Sequence, residues 1–327
     1  MRAAWYTKMG PAREVLQTGT LPDPQPAPGE VRVRIHASGV NPSDVKARAA
    51  PGRNSVYPRV IPHSDGAGVI DAVGDGVERS RIGSRVWVFN GQWKRAEGTA
   101  AEFICLPAGF AIPLPEASDF ATGACLGIPA LTAWRAVSMM GGVAGQTVLV
   151  SGGAGAVSHH AIQMARLSGA KSIFTTISSP EKAEIARAAG ADACINYRSE
   201  DVAARIRDLT DGQGVDRVIE LDIAGNARFI PDVLKPGGLA AVYGSNQPTF
   251  TLPFMPMIVK NLTIACFIVY ELSPEQRRQG AAYINGLLEA GRLQTRIAGR
   301  FPLEQIAEAH EAVESGRAIG NVVLDLA

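Results

Sequence analysis

The sequence predicts an α/β protein in which a Rossmann-type doubly wound parallel sheet is inserted in a β-rich domain. Three observations carry this. In Thr147-Val148-Leu149-Val150-Ser151-Gly152-Gly153-Ala154-Gly155-Ala156-Val157-Ser158, aliphatics run into a glycine cluster and then into helix formers from His159 to Arg166, the pattern of strand, tight turn and helix. From Ser172 to about Val269, short aliphatic runs alternate with helical segments, which calls for a parallel sheet covered on both faces. The last aliphatic run, Asn321-Val322-Val323-Leu324, follows that region and predicts that the C-terminus returns to the first domain. Residues 1–120 with 270–327 are thus expected to form the β-rich domain and residues 121–269 the inserted one, with a cleft between them.

In the first part, Val31-Arg32-Val33-Arg34-Ile35-His36-Ala37 alternates apolar and polar residues, as a half-buried strand does. Prolines 22, 24, 26 and 28 hold the approach to it extended. Further strands are expected at Gly68–Val73, Arg85–Phe89 and Ala101–Leu106, with turns at Gly74-Asp75-Gly76 and Gly83-Ser84. Such short strands suggest a compact, partly closed β domain. Helices are expected at Phe120–Cys125 and Leu131–Met140. Beyond the glycine cluster, strands are expected at Ser172–Ile177, Ala193–Ile195, Asp216–Leu221, Leu239–Tyr243 and Leu262–Val269. Helices fill the intervals at Pro180–Ala189, Asp201–Thr210 and Asn226–Leu234, and a long one runs over Pro274–Ala290.

The chain has 327 residues, 46% hydrophobic and 19% charged, ordinary for a two-domain globular protein. A formal net charge of +1 leaves no electrostatic footprint for nucleic acid or an anionic membrane. No apolar run reaches membrane-spanning length, and the N-terminal residues carry no signal-peptide pattern, so a cytoplasmic location is expected. Cys105, Cys125, Cys194 and Cys266 lack metal or disulfide spacing and read as buried free thiols.

Gly153 and Gly155 stand where a dinucleotide-binding turn has its first two glycines. The first would permit the sharp turn, and the second would let the backbone approach a pyrophosphate at the helix start. Ser158 replaces the third. The end of the next strand selects the cofactor: an acid there bonds the ribose 2′-hydroxyl of NAD and repels the 2′-phosphate of NADP. This chain has Ser178-Ser179-Pro180-Glu181-Lys182 instead, which favours NADPH. Ser178 with Glu181 also fits a capping box, with Pro180 in the first turn. His159-His160, at the helix start, reads as a solvated pair.

Several segments together resemble the zinc-free NADPH:quinone reductases, the zeta-crystallin type of the medium-chain dehydrogenase/reductase superfamily. They are Ser38-Gly39-Val40-Asn41-Pro42-Ser43-Asp44, Ser64-Asp65-Gly66-Ala67-Gly68-Val69, Gly127-Ile128-Pro129-Ala130-Leu131-Thr132-Ala133-Trp134-Arg135, Val242-Tyr243-Gly244-Ser245 and Gly320-Asn321-Val322-Val323-Leu324. The resemblance spans nearly the whole chain. It implies a GroES-like catalytic domain and a Rossmann domain, with NADPH in the cleft. It places Asn41 near the nicotinamide ribose and Thr132 on the phosphate-facing helix. The turn Gly153, Ala154, Gly155, Ala156 and Val157 would meet the pyrophosphate; Ser178, Lys182 and Tyr197 would surround the 2′-phosphate. Gly244, Ser245, Phe267 and Val269 would line the nicotinamide, and Asn321 would close it. The chain departs from the family pattern at Ala156 and Ser158, where glycines are usual, and at Lys46 and Pro51–Val56, by the substrate mouth.

Zinc dehydrogenases of this superfamily need a Cys, a His-Glu pair and a further ligand. Here cysteine is absent from Asn41–Asp44, Ser64-Asp65 occupies the His-Glu position, and His63 comes one residue early. A one-residue shift in extended chain reverses the side chain's direction, so no metal is expected. Without a Lewis acid, hydride transfer to an electron-poor acceptor, a quinone or an enone, is the expected chemistry. Tyr57, before Pro58, is the candidate contact to the acceptor oxygen. The alternatives are a 2-alkenal or enoyl reductase on the same scaffold and a low-turnover NADPH-binding protein. The strand at Leu262–Val269 resembles the edge through which these enzymes pair, which predicts a homodimer.

Overall fold

The computed structural model describes residues 1–50 and 56–326. It forms two compact units, Met1–Pro129 with Ala281–Ala327, and Ala130–Gly280. The first contains β1 (Arg2–Trp5), β2 (Gln17–Thr20), β3 (Glu30–Val40), β4 (Asp65–Val73), β5 (Arg85–Val88), β6 (Phe103–Pro107) and β7 (Ala111–Pro113). The second contains β8 (Thr147–Val150), β9 (Ser172–Ile177), β10 (Ala193–Asn196), β11 (Val215–Glu220), β12 (Leu234–Val242) and β13 (Thr263–Cys266). The chain then returns to the first unit for β14 (Ile297–Pro302) and β15 (Asn321–Asp325).

In the first unit β3 is the central strand. It pairs antiparallel with β4, β6 and β15, so the N-terminal and C-terminal parts of the chain share one sheet. Its alternation buries Val31, Val33 and Ile35 and leaves Arg34 exposed; from Ala37 to Val40 every residue is buried. Val31, Val33, Val86, Ile104 and Leu106 then build one core with Leu324. The short strands β1 and β2 and strand β14 were not anticipated. Gln17-Thr18-Gly19-Thr20 is exposed along its length and carries no apolar periodicity to reveal a strand.

The second unit is an all-parallel six-stranded sheet in the order β10-β9-β8-β11-β12-β13. Burial on both faces shows in the central strands: Val148, Leu149 and Val150 of β8 and Val218 and Ile219 of β11 are fully buried, with Arg217 and Glu220 of β11 buried beside them. Two expectations fail here. The Asn226–Leu234 helix is two single turns, Ile223–Asn226 and Ile230–Val233, and β12 already begins at Leu234, carrying Pro236-Gly237-Gly238 within an irregular pairing. The last strand stops at Cys266, and Val269 opens a 3-10 turn. Proline at 231 suits a helix start, so it splits the helix rather than lying within it. Cys105 and Cys125 are buried free thiols, but Cys194 is only half-buried and Cys266 is exposed on the edge strand.

Candidate functional site

In the parallel sheet the chain runs outward from β8 through β9 and β10, then crosses back to β11 and proceeds the other way. The carboxyl ends of β8 and β11 are therefore the switch point at which such sheets bind ligands. β8 ends at Val150, and Ser151–Gly155 turns into the helix Ala156–Leu167. The left-handed turn is made by Gly152, at φ 67°, not by Gly153 as expected. Gly153 instead abuts β9, where a Cβ would strike Thr175 Oγ1. Gly155 is the N-cap in extended conformation and is exposed, so the helix start is open at this point. Ala154 is buried, and Ala156 and Val157 are half-buried in the first turn.

Ser158, in place of the third glycine, is buried and donates to Ser151 O at 2.7 Å. Its hydroxyl also lies 3.3 Å from Tyr243 Oη. The helix is thus tied to its own strand by a hydrogen bond. The His159-His160 expectation is corrected: His159 is half-buried and His160 fully buried, and burial holds the His160 imidazole down at about 3. At the end of β11, Glu220 accepts from Ser151 Oγ at 2.7 Å, Asp222 N at 2.6 Å and Asn226 Nδ2 at 2.8 Å. Its carboxyl is pushed up by burial. This buckle across the switch point was missed, although an acid closing Val218-Ile219-Glu220 was a visible signal.

At the end of β9, the helix Pro180–Ala188 is capped by Ser179, whose Oγ accepts from Lys182 N, not by Ser178. The expected Ser178–Glu181 capping box is one residue out of register. Ser178 is left to accept from Lys182 Nζ at 3.1 Å, so a hydroxyl and an ammonium stand where an acid would select NAD. Tyr197 follows β10 and is 52% exposed. A cavity of about 520 Å³ opens beside the turn, lined by Gly152, Thr176, Tyr197, Asp201, Leu221 and Asp222 among others. Both aspartates are N-caps that accept backbone N–H bonds.

Gly244 follows β12, where a Cβ would meet Leu221 O, and its carbonyl accepts from Ile223 N at 3.1 Å. Ser245 Oγ donates to Gln247 O at 2.7 Å. Phe267 packs its ring 6.4 Å from that of Tyr243, and Val269 is buried. Thr132 is buried in the first turn of the helix Leu131–Ser138.

The first unit holds the remaining candidates. Asn41 follows β3 and caps the helix Pro42–Ala49; it is buried, its N–H donates to Asp44 Oδ2 at 2.8 Å and its Nδ2 to Asp65 Oδ2 at 2.9 Å. Burial pushes Asp44 up to about 7 and Asp65 well above the usual carboxylate range. Val322 pairs with Val40, which puts Asn321 and Asn41 at neighbouring strand ends; Asn321 Nδ2 donates to Arg296 O at 3.0 Å. Tyr57 is half-buried against Tyr6, Val15 and Val60. Lys46 is exposed; Pro51–Ser55 lie outside the described residues, and Val56 is exposed. Among the described residues no group of three or more His, Cys, Asp or Glu is placed to hold a metal ion. His63 is buried and points to Ser38 and His310.

Comparison with known proteins agrees with this architecture. Residues 27–116 match the model of the alcohol dehydrogenase GroES-like domain, and residues 156–284 that of the zinc-binding dehydrogenase. Human quinone oxidoreductase is 32% identical over 99% of this chain and 97% of its own length. A solved NAD-dependent alcohol dehydrogenase superposes with a TM-score of 0.92 at 32% identity, covering 100% of both chains. The Escherichia coli quinone oxidoreductase complexed with NADPH gives 0.89 at 25% identity, also over 100% of both chains. With a GroES-like unit, a parallel nucleotide-type sheet and a full-length relationship at this identity, the chain belongs to the zeta-crystallin-type quinone oxidoreductases of the medium-chain dehydrogenase/reductase superfamily.

Proposed function

We propose that the protein is an NADPH-dependent quinone oxidoreductase that transfers hydride without a metal. The observation that carries the cofactor choice is Ser178 with Lys182 at the end of β9, where Lys182 Nζ and the hydroxyl can both meet a 2′-phosphate. The fit of a dinucleotide is supported by the left-handed Gly152, by Gly153 pressed onto Thr175, and by the exposed start of the Ala156–Leu167 helix, an end that favours an anion. When bound, the reduced nicotinamide supplies the hydride. The chain's own residues bind and orient: Ala154, Gly155, Ala156 and Val157 at the pyrophosphate, Tyr197 by the adenosine phosphate, and Thr132, Gly244, Ser245, Phe267, Val269, Asn41 and Asn321 on the nicotinamide side. Tyr57 is the proposed contact to the acceptor oxygen.

A homodimer through the β13 edge belongs to the same reading. Among the described residues that edge is unpaired on one side, and Phe254, Met255, Ile258 and Val259 are exposed close before it in sequence, the kind of apolar surface that marks association. Sedimentation at micromolar concentration should give twice the 34.4 kDa chain mass.

The deciding experiment follows NADPH oxidation with an ortho-quinone, with a 2-alkenal and with NADH as control. Consumption with the quinone and NADPH is expected; consumption with the alkenal alone would assign an enone reductase. Binding of NADPH without turnover on either acceptor would leave the non-catalytic reading. Lys182→Ala should raise the KM for NADPH about tenfold, the worth of one charge-assisted bond, and leave that for NADH unchanged. Equal KM values for the two cofactors in the unaltered protein would refute the Ser178–Lys182 assignment.

A further inference from the structure

Beneath Asn41 lies a chain of buried polar side chains that the proposed reaction does not use. Thr99 Oγ1 is 2.5 Å from the carbonyl oxygen of Asp65 and 2.8 Å from Ser38 Oγ. Ser38 Oγ is 2.9 Å from His63 Nδ1, and His63 Nε2 is 2.9 Å from His310 Nε2. Ser38, His63, Thr99 and His310 are each fully buried.

Counting hydrogens fixes the direction of every bond. A carbonyl cannot donate, so the single Thr99 hydroxyl hydrogen must go to Asp65 O. Ser38 must then donate to Thr99, which uses its only hydrogen. The contact between Ser38 and His63 therefore needs a proton on His63 Nδ1. Burial keeps both rings neutral, with His310 held down at about 3 and His63 far below its ordinary value. A neutral His63 protonated at Nδ1 has a bare Nε2, so His310 must carry its proton on Nε2. His310 Nδ1 is left bare, and it has no hydrogen-bond partner among the described residues. Only this assignment satisfies all four contacts, and it leaves no donor stranded.

The backbone gives an independent sign that the chain is selected for geometry. His63 sits at φ 76°, a left-handed conformation that costs a non-glycine residue and that glycine would adopt freely. Its imidazole bonds offset that cost. The segment it anchors leads directly into Asp65, whose carboxyl Oδ2 accepts from Asn41 Nδ2 at 2.9 Å and from Ile128 N at 2.8 Å. Asp65 Oδ1 has no partner among the described residues, so the placement of Asp65 rests on Oδ2 and on its own peptide.

We propose that His310, His63, Ser38 and Thr99 form a one-way hydrogen-bond chain that sets the Asp65 peptide and, through Asp65, the Asn41 carboxamide. His63 and Ser38 are then positioning residues for the cofactor contact made by Asn41. The inference rests on the reading of Asn41 as such a contact.

Two measurements on the full chain test it. Nitrogen-15 spectra of histidine-labelled protein should show His310 protonated on Nε2 and His63 on Nδ1; either ring in the other tautomer overturns the chain. NADPH binding, followed by fluorescence, should weaken by about tenfold or more in Ser38→Ala and His63→Gly, as expected when a binding group loses its orientation. His63→Gly relieves the backbone cost but strands His310 Nε2–H and opens a buried void, so its melting temperature should fall as that of a core truncation does. Leu106→Ala, a truncation in the same core away from the chain, controls for simple destabilisation. Affinity losses no larger than that control's would overturn the positioning role. Failure of the unaltered protein to bind NADPH would remove the cofactor reading and this role with it, whereas binding that Ser38→Ala and His63→Gly leave intact would remove the role alone.

Discussion

Ser158 shows how one residue can replace a glycine and add a different function. A glycine at that position gains close helix–strand packing by having no side chain. Serine keeps the approach and supplies a donor to Ser151 O. Restoring glycine should therefore destabilise the protein, by about 1–2 kcal/mol from the lost buried hydrogen bond and the poorer helix propensity. Urea unfolding of Ser158→Gly measures it, and a variant as stable as the parent would contradict this account. The sequence allowed serine as a small substitute, but the bond depends on where Ser151 O lies, which only the folded turn shows. The same holds for His160. Two adjacent histidines near a helix start give no sign of which way each ring points; helix rotation of about 100° per residue sends one inward.

Among the elements, β8, β9, β10 and β11 were legible almost to the residue, whereas β12 begins at Leu234 rather than Leu239 and β13 ends at Cys266 rather than Val269. Ser172–Ile177 is a strand over the expected span because Ile173 to Ile177 are β-branched or aromatic and buried. The helix expected at Leu131–Met140 is present at Leu131–Ser138, but what holds its end from outside was not legible. The helix Leu131–Ser138 ends against Arg217 of β11, whose Nη1 donates to the carbonyls of Ala136, Val137 and Met139 at 3.1, 3.3 and 2.9 Å. These are among the carbonyls a helix end leaves orphaned. An arginine inside Val215-Asp216-Arg217-Val218 reads as the solvent-facing residue of a strand, yet it is 2% exposed. Arg217→Met keeps the apolar volume and removes the donors, so it should cost about 3 kcal/mol, read from the urea midpoint by far-UV circular dichroism. A loss below about 0.5 kcal/mol, the range of ordinary surface substitutions, would mean that water replaces the guanidinium.

For the whole molecule, buried ionisable groups predict the pH dependence of stability. Burial depresses His63, His160 and His310 below their ordinary value, so the unfolded chain binds their protons first, and stability is lost as pH falls below about 6.5. Asp44 and Asp65 are shifted upward, as is Glu220, so the folded chain keeps their protons longer and stability is lost as pH rises from about 4 through their folded values, about 7 for Asp44. From about pH 4 to 6.5 the two sets oppose each other and stability should be nearly flat. Below about pH 4 the histidines act together with Asp23 and Glu102, whose carboxyls the N-terminal ammonium and Arg2 hold down, so stability falls steeply with pH there. Above about 6.5 the carboxyls act alone, and stability should decline. Urea midpoints at half-unit steps of pH test this; a steady rise from pH 4 to 8 would refute it. None of this balance is visible in a net charge of +1, because the shifts come from burial.

What the sequence determined by itself was the local alphabet: the aliphatic strands, the glycine turn, the serines in place of an acid after β9, and the return of the C-terminal strand. These follow from periodicity, steric freedom and charge within a few residues. Only the tertiary structure decided which glycine turns left-handed, which serine caps the helix, and that Ser38, Thr99, His63 and His310 meet in one buried line. His63 and His310 alone are 247 positions apart, and the physical reason is that a buried polar group takes its partner from whatever packing brings within hydrogen-bond reach, not from its neighbours in the chain.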